Sequence, residues 1–178
     1  MSKKLLPITQ TAIFIALLIV SQMATAPLGN QLVTGSIVNM ILIVSVMTCG
    51  LASGLTVAAI SNVAAKLLGI GPLWSLIPFI AVGNMVLVLT WHFVGNRHIG
   101  RKYVSHVVAL VCAAAAKFLT LYLGIVKIAV PLLLDLPEKQ AAVISGMFSV
   151  TQLITASIGG ALAIVLLPTL FRGIRRQE

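Results

Sequence analysis

Apolar residues gather along this chain into six stretches, approximately 8–24, 37–51, 54–68, 75–95, 104–130 and 141–168, set apart by Gly, Pro or charged residues. Crossing the hydrocarbon core takes ~20 residues of helix, and the third stretch is short for that. Its helix is expected to end below the surface or to be covered by neighbours. The pattern predicts an all-α membrane protein, a bundle of six transmembrane helices forming one integral membrane domain over residues 1–178. Composition agrees: 60% of residues are apolar, 8% are charged, and the mean hydropathy of +1.13 lies far from that of a water-soluble domain.

Charge then orients the bundle. Twelve basic residues face only Asp135, Glu138 and Glu178, a net charge of +9 that suggests a nucleic-acid partner until the positions are read. The basic residues form no stripe or patch, so nucleic acid is not an expected partner; most sit at segment ends. Lys3 and Lys4 precede the first stretch, Arg97, Arg101 and Lys102 separate the fourth from the fifth, and Arg172, Arg175 and Arg176 follow the sixth. Six crossings put all three clusters on one side, which predicts cytoplasmic N and C termini. The connections on the other face, 25–36, 69–74 and 131–140, hold no charge except Asp135, Glu138 and Lys139. Lys3, Lys4 and the run ending in Ala24-Thr25-Ala26 also resemble a cleaved secretory signal. Pro27 at the would-be cleavage point and the length of the apolar run favour a retained span.

Several chemistries are excluded. The chain has no G-x-x-x-x-G-K-[ST] loop, no H-E-x-x-H and no G-x-S-x-G, and no acid lies in any apolar stretch. It is not expected to be an enzyme. His92, His98 and His106 cluster about the turn between the fourth and fifth stretches and read as interfacial side chains. Cys49 and Cys112 have neither CxxC spacing nor a neighbouring His, so they read as small core residues and no metal site is expected.

Polar groups inside the apolar stretches carry the functional information. At 100° per residue, His106, Ala109, Ala113, Lys117, Thr120, Gly124 and Lys127 share an arc of about 80° on the fifth helix. Ser145, Ser149, Gln152, Ala156, Gly159 and Ala163 share a side of the sixth, Asn62 and Lys66 meet one turn apart on the third, and Asn84 stands alone in the fourth. Close helix packing explains the small residues. Lysine is different, because an ionisable side chain within the membrane is costly and normally faces a partner or cavity. Lys127 and Lys139 have Asp135 and Glu138 near the outer surface, and Lys66 is able to snorkel towards that surface. Lys117 has neither recourse, being ~20 Å of helix from the cytoplasmic end with no intramembrane acid to meet. A bound anion is its natural counter-charge, and a neutral, water-solvated amine the alternative. An outward-facing pocket is expected, with Lys117, Lys66, Asn84, Asn62, Gln152 and Thr120 as binding residues, and Gln31 and Thr34 joining them from an uncharged 25–36 connection that suits a lid or an ordinary connector.

Six short-looped helices in this length, Ala12-Ile13-Phe14-Ile15-Ala16 in the first helix, and the segments Gln31-Leu32-Val33-Thr34-Gly35-Ser36-Ile37-Val38-Asn39 and Pro78-Phe79-Ile80-Ala81-Val82-Gly83-Asn84 carry a resemblance. The chain resembles the substrate-binding S component of an energy-coupling factor (ECF) transporter, a prokaryotic vitamin-uptake system, and the two longer segments are similar to its pantothenate group. The resemblance covers nearly the whole length. It implies a multi-pass protein of a prokaryotic cell membrane, partnered by a transmembrane coupling subunit and two cytoplasmic ATPases. ATP and Mg would be used by those subunits, with no cofactor bound by this chain, and Ala12 and Ala16 would lie in the surface that meets the coupling subunit. Pantothenate, with one carboxylate, an amide and hydroxyls, suits lysine, amide and hydroxyl donors. A corrinoid such as cobalamin, or folate, is the alternative cargo. An oligomeric channel or exporter and a membrane assembly factor are the other classes of reading.

Overall fold

In the computed structural model, which describes residues 5–97 and 102–175, the described residues are helical apart from short connections. Lys3, Lys4, His98, Arg101, Arg176 and Glu178 lie outside those residues. The helices are α1 (Leu5–Thr25), α2 (Gln31–Cys49), α3 (Leu51–Leu67), α4 (Ile77–Gly95), α5 (Lys102–Leu121), α6 (Glu138–Met147) and α7 (Val150–Arg175). Five helical stretches are long and apolar enough to cross a membrane, and α3, at 17 residues, is the short sixth. Their outer faces are covered with exposed Ile, Leu and Val, including Ile13, Val20, Val111 and Val165, as a lipid-facing surface requires.

The connections depart from expectation in three places. The 25–36 segment is not a long lid: Ala26–Leu28 form one 3-10 turn, Asn30 caps α2 by accepting from the Leu32 amide at 2.9 Å, and helix begins at Gln31 rather than near 37. Asn30, Gln31 and Thr34 read as loop because of their polarity, yet they border a cavity, and Gln31 and Thr34 are in regular helix. The fifth span continues past Leu121 as a π-helical segment, Tyr122–Leu133, closed where the Leu134 amide meets the Ala129 carbonyl at 2.9 Å. The sixth apolar stretch is broken at Phe148–Ser149 into α6 and α7. Ser149 and Thr151 hydroxyls both donate to the Gly146 carbonyl, and Gln152 Nε2 donates to the Met147 carbonyl at 3.0 Å, so side chains take up the carbonyls the break leaves free.

Helix α2 lies at the centre, packed on α1, α3, α4 and α7, while α5 fills the space between α4 and α7. The α2–α3 corner turns on the single residue Gly50, whose φ of +87° is costly for any side chain. Against α7 the approach is closest at Gly159, where an added Cβ would stand 2.5 Å from the Ser36 carbonyl oxygen. The main core joins Leu18, Leu42, Val46, Val57, Leu87, Val88 and Trp91 with Ala109, Ala113 and Ala163. A smaller cluster of Leu76, Leu121, Ile125, Ala129 and Phe148 sits at the end that carries the α1–α2 and α3–α4 connections. Two readings of single residues change here. His106 is buried, with its ring 6.2 Å from that of Trp91, rather than interfacial, and Cys112 is exposed on the outer face of α5 rather than in the core.

Candidate functional site

A cavity of about 530 Å³ opens at that same end, between the last turns of α1 and α3, the first turns of α2 and α4, the end of α5 and the α6–α7 break. Its apolar walls include Val38, Ile77, Ile80, Leu121, Ile144 and Phe148. Such a volume falls within the range of small-molecule sites, about 300–1,000 Å³. Lys117, Lys66, Asn84, Asn62, Gln152, Gln31 and Thr34 all border it, so polar residues from five different helices meet around one space.

Lys117 is the chemical centre. It is only 3% exposed, and its ammonium donates to Asn39 Oδ1 at 2.5 Å and to Asn84 Oδ1 at 2.6 Å. Asn84 Nδ2 donates to Asn62 Oδ1 at 3.3 Å, and Asn62 Nδ2 to the Ala58 carbonyl at 2.7 Å. On the other side Asn39 Nδ2 donates to Thr155 Oγ1 at 3.4 Å, which donates in turn to the Gln152 carbonyl. This network ties α2, α3, α4, α5 and α7 together, and every protein partner of the amine is neutral. Amide oxygens orient an ammonium and leave its charge uncancelled. No Asp or Glu borders the cavity among the described residues. Lys66, half-buried near the end of α3, adds a second amine to the wall.

The remaining candidates divide. Gln31 stands at the first turn of α2 on the cavity wall, and Thr34 is there too, although its hydroxyl donates to Thr25 Oγ1 at 2.9 Å. Gln152 borders the cavity, but its amide nitrogen is committed to Met147, which leaves its oxygen as the free end. Thr120 is not on the wall; it donates to the Ala116 carbonyl at 2.8 Å, and Leu121, one turn on from Lys117, takes the position instead. Beyond Leu121 the 100° wheel no longer applies, because a π-helix brings residues five apart onto one face. Lys127 accordingly lies over the Tyr122 ring, 5.6 Å from its centroid, rather than pairing with Asp135 or Glu138, and Gly124 packs against Phe79. Ala12 and Ala16 are exposed on the outward face of α1 beside Ile13 and Leu17, away from the cavity.

Asn39 is the contact that sequence reasoning missed as a site residue. It is fully buried and touches Lys117 directly. Its signal was the one that singled out Asn84: a lone strong hydrogen-bonding side chain within an apolar stretch. Gln22, on the cavity wall near the end of α1, was missed in the same way.

The family model described as ECF transporter, substrate-specific component, matches residues 6–172. No curated protein and no solved structure matches the chain. The match leaves out only the first five and last six residues, and it covers every helix that borders the cavity. This chain belongs to the family of substrate-specific components of ECF transporters.

Proposed function

We propose that this protein binds a small anionic vitamin for uptake, that the vitamin is pantothenate, and that its carboxylate is held at Lys117. The family supplies the coarser part: a multi-pass membrane subunit that binds a small-molecule substrate and works with the coupling and ATPase subunits of an ECF transporter, without being an enzyme itself. The observation that carries the finer part is Lys117, 3% exposed on a cavity wall that holds no carboxylate among the described residues. A ligand carboxylate would meet the third donor of the ammonium, the other two being taken by Asn39 and Asn84. Amide and hydroxyl groups of the ligand would meet Asn62, Gln31 and the free oxygen of Gln152.

Size and packing support this reading over its rivals. A cavity of about 530 Å³ suits a molecule of pantothenate's size, whereas a corrinoid is several times larger. A channel needs polar lining along its whole length, yet beyond the Lys117 network the bundle is filled by Leu42, Leu87, Trp91, Ala109 and Ala113. In the proposed arrangement both termini and the ATPases are cytoplasmic, ATP and Mg act only in those partners, and the cavity opens outward. Ala12 and Ala16 then belong to the exposed α1 face that meets the coupling subunit.

The test is titration of the purified subunit, alone in detergent, with labelled pantothenate, folate and cobalamin, followed by flux measurements in liposomes. Nanomolar binding of pantothenate without flux is the expected result. Preference for another vitamin replaces the cargo and keeps the binding role, passive flux supports a channel, and neither binding nor flux supports an assembly factor.

A further inference from the structure

The proposed binding mode leaves one polar wall residue unused. Gln22 stands one turn before the end of α1 and borders the same cavity as Lys117. Its Nε2 is enclosed and meets no acceptor among the described residues. An amide donor shut away from water without a partner is destabilising, so its presence beside a cavity points to an acceptor supplied from elsewhere. The backbone around it is firmly held. Thr25 Oγ1 donates to the Ser21 carbonyl at 2.8 Å and accepts from Thr34 Oγ1 at 2.9 Å, which ties the end of α1 to the start of α2. The fold therefore fixes where Gln22 stands and leaves its carboxamide nitrogen without an acceptor among the described residues. A half-turn about the terminal torsion exchanges nitrogen for oxygen at almost constant shape, so the group is able to donate to the cavity or accept from it.

Position separates Gln22 from the lysine network. Gln22 and Gln31 flank the same short α1–α2 turn, whereas Asn39, the α2 partner of Lys117, lies eight residues beyond Gln31, ~12 Å of helix rise. The two poles also differ in charge, one cationic and one neutral.

We infer that Gln22 is a specificity-determining contact, which reads a neutral hydroxyl or amide group of the ligand at the end of the cavity away from Lys117. This rests on the reading of the cavity as the ligand site and goes beyond it in two ways. The ligand class becomes a molecule with an anionic group at one end and a hydroxyl or amide at the other. Helix α1, the least buried of the long spans, becomes part of recognition. A ligand that lacks the neutral group would leave the carboxamide unpaired and be rejected for that reason.

The test compares the wild-type subunit with Gln22→Leu, a change that keeps the approximate shape and removes the unpaired polar atoms, so that folding is retained. Binding is measured with pantothenate and with pantothenol, in which an alcohol replaces the carboxylate. Gln22→Leu is expected to raise Kd by about tenfold for pantothenate, with a similar factor for pantothenol because the altered contact is at the other end. An unchanged Kd for pantothenate overturns the inference while leaving the vitamin reading intact. A fall of several degrees in the Tm of the empty variant also overturns it, because Gln22 would then be serving the fold. Should the wild-type protein bind no pantothenate, the vitamin reading fails by itself, and Gln22→Cys in a Cys49→Ala, Cys112→Ala background decides the matter. Rapid modification of the introduced thiol by an anionic methanethiosulfonate supports an open, ligand-facing position, and no modification overturns it.

Discussion

Around Trp91, Leu42 and Val57 the helices pack side chain to side chain with small residues at the crossings, whereas at the other end of the same bundle the helices part around a cavity. The packed end is built from regular α-helix. The open end gathers the departures from regularity: a 3-10 turn after α1, a π-helical extension of α5 and the α6–α7 break. Regular helices with small residues at their contacts approach closely and leave little room between them. Breaks and π turns push neighbouring elements apart and free polar groups, so the irregular end is the one able to hold a solute. The Lys117 network lies where the two regimes meet, with Asn39 on the helix most deeply embedded in the packed part.

The contrast can be broken most severely from the packed side. Trp91→Ala removes the largest fully buried side chain, and a loss of about 3–5 kcal/mol is expected in unfolding of the detergent-solubilised protein. The fraction that remains folded should bind its vitamin with nearly unchanged affinity. An equally large loss of affinity would show that the two ends are not separable. Lys117→Met is the opposite case. Kd for the anionic vitamin is expected to rise by about 100-fold or more, with the variant still eluting as a folded monodisperse species. Affinity at the wild-type level would remove the cation from the account of binding.

A change at the boundary should affect both properties. Gly159→Ala places a methyl 2.5 Å from the Ser36 carbonyl oxygen and 2.7 Å from Asn39 Cβ, so α2 and α7 must separate. A destabilisation of about 1–3 kcal/mol is expected, together with weaker binding through the displaced Asn39. A Tm equal to the wild type's would show that this crossing yields freely. The smallest effect is expected at Thr120→Val, since the hydroxyl is spent on the Ala116 carbonyl and does not border the cavity. Kd should stay within about twofold. A larger rise would place Thr120 in contact with ligand and make the end of α5 wider in its reach.

Much of this architecture was legible in advance, because a bilayer leaves the backbone few choices. Unpaired amides and carbonyls are so unfavourable in hydrocarbon that a long apolar stretch must become a helix, so an all-helical membrane bundle could be read off, although α2 begins at Gln31 rather than near 37 and the sixth stretch is divided into α6 and α7. The lysines stood out for a related reason: an amine deep in an apolar stretch calls for a partner, so Lys66 and Lys117 marked the cavity wall before any coordinates did. Polarity was a poorer guide to backbone shape. The run from Gln31 to Ser36 looked like loop and proved to be the first turns of α2, since cavity-facing and solvent-facing residues share the same composition.

What the sequence determined by itself was the set of spans and the presence of an amine needing company. Which groups keep it company was decided only in three dimensions: Asn39 and Asn84 stand 78 and 33 residues from Lys117 along the chain, and no periodicity within one helix encodes which side chains another helix will present. The π-helical segment belongs to the same category, because its altered residue spacing moved Lys127 onto Tyr122, while Leu121 holds the wall position in place of Thr120. Local sequence dictates how one segment satisfies its own backbone; the meeting of side chains from several segments depends on how those segments cross.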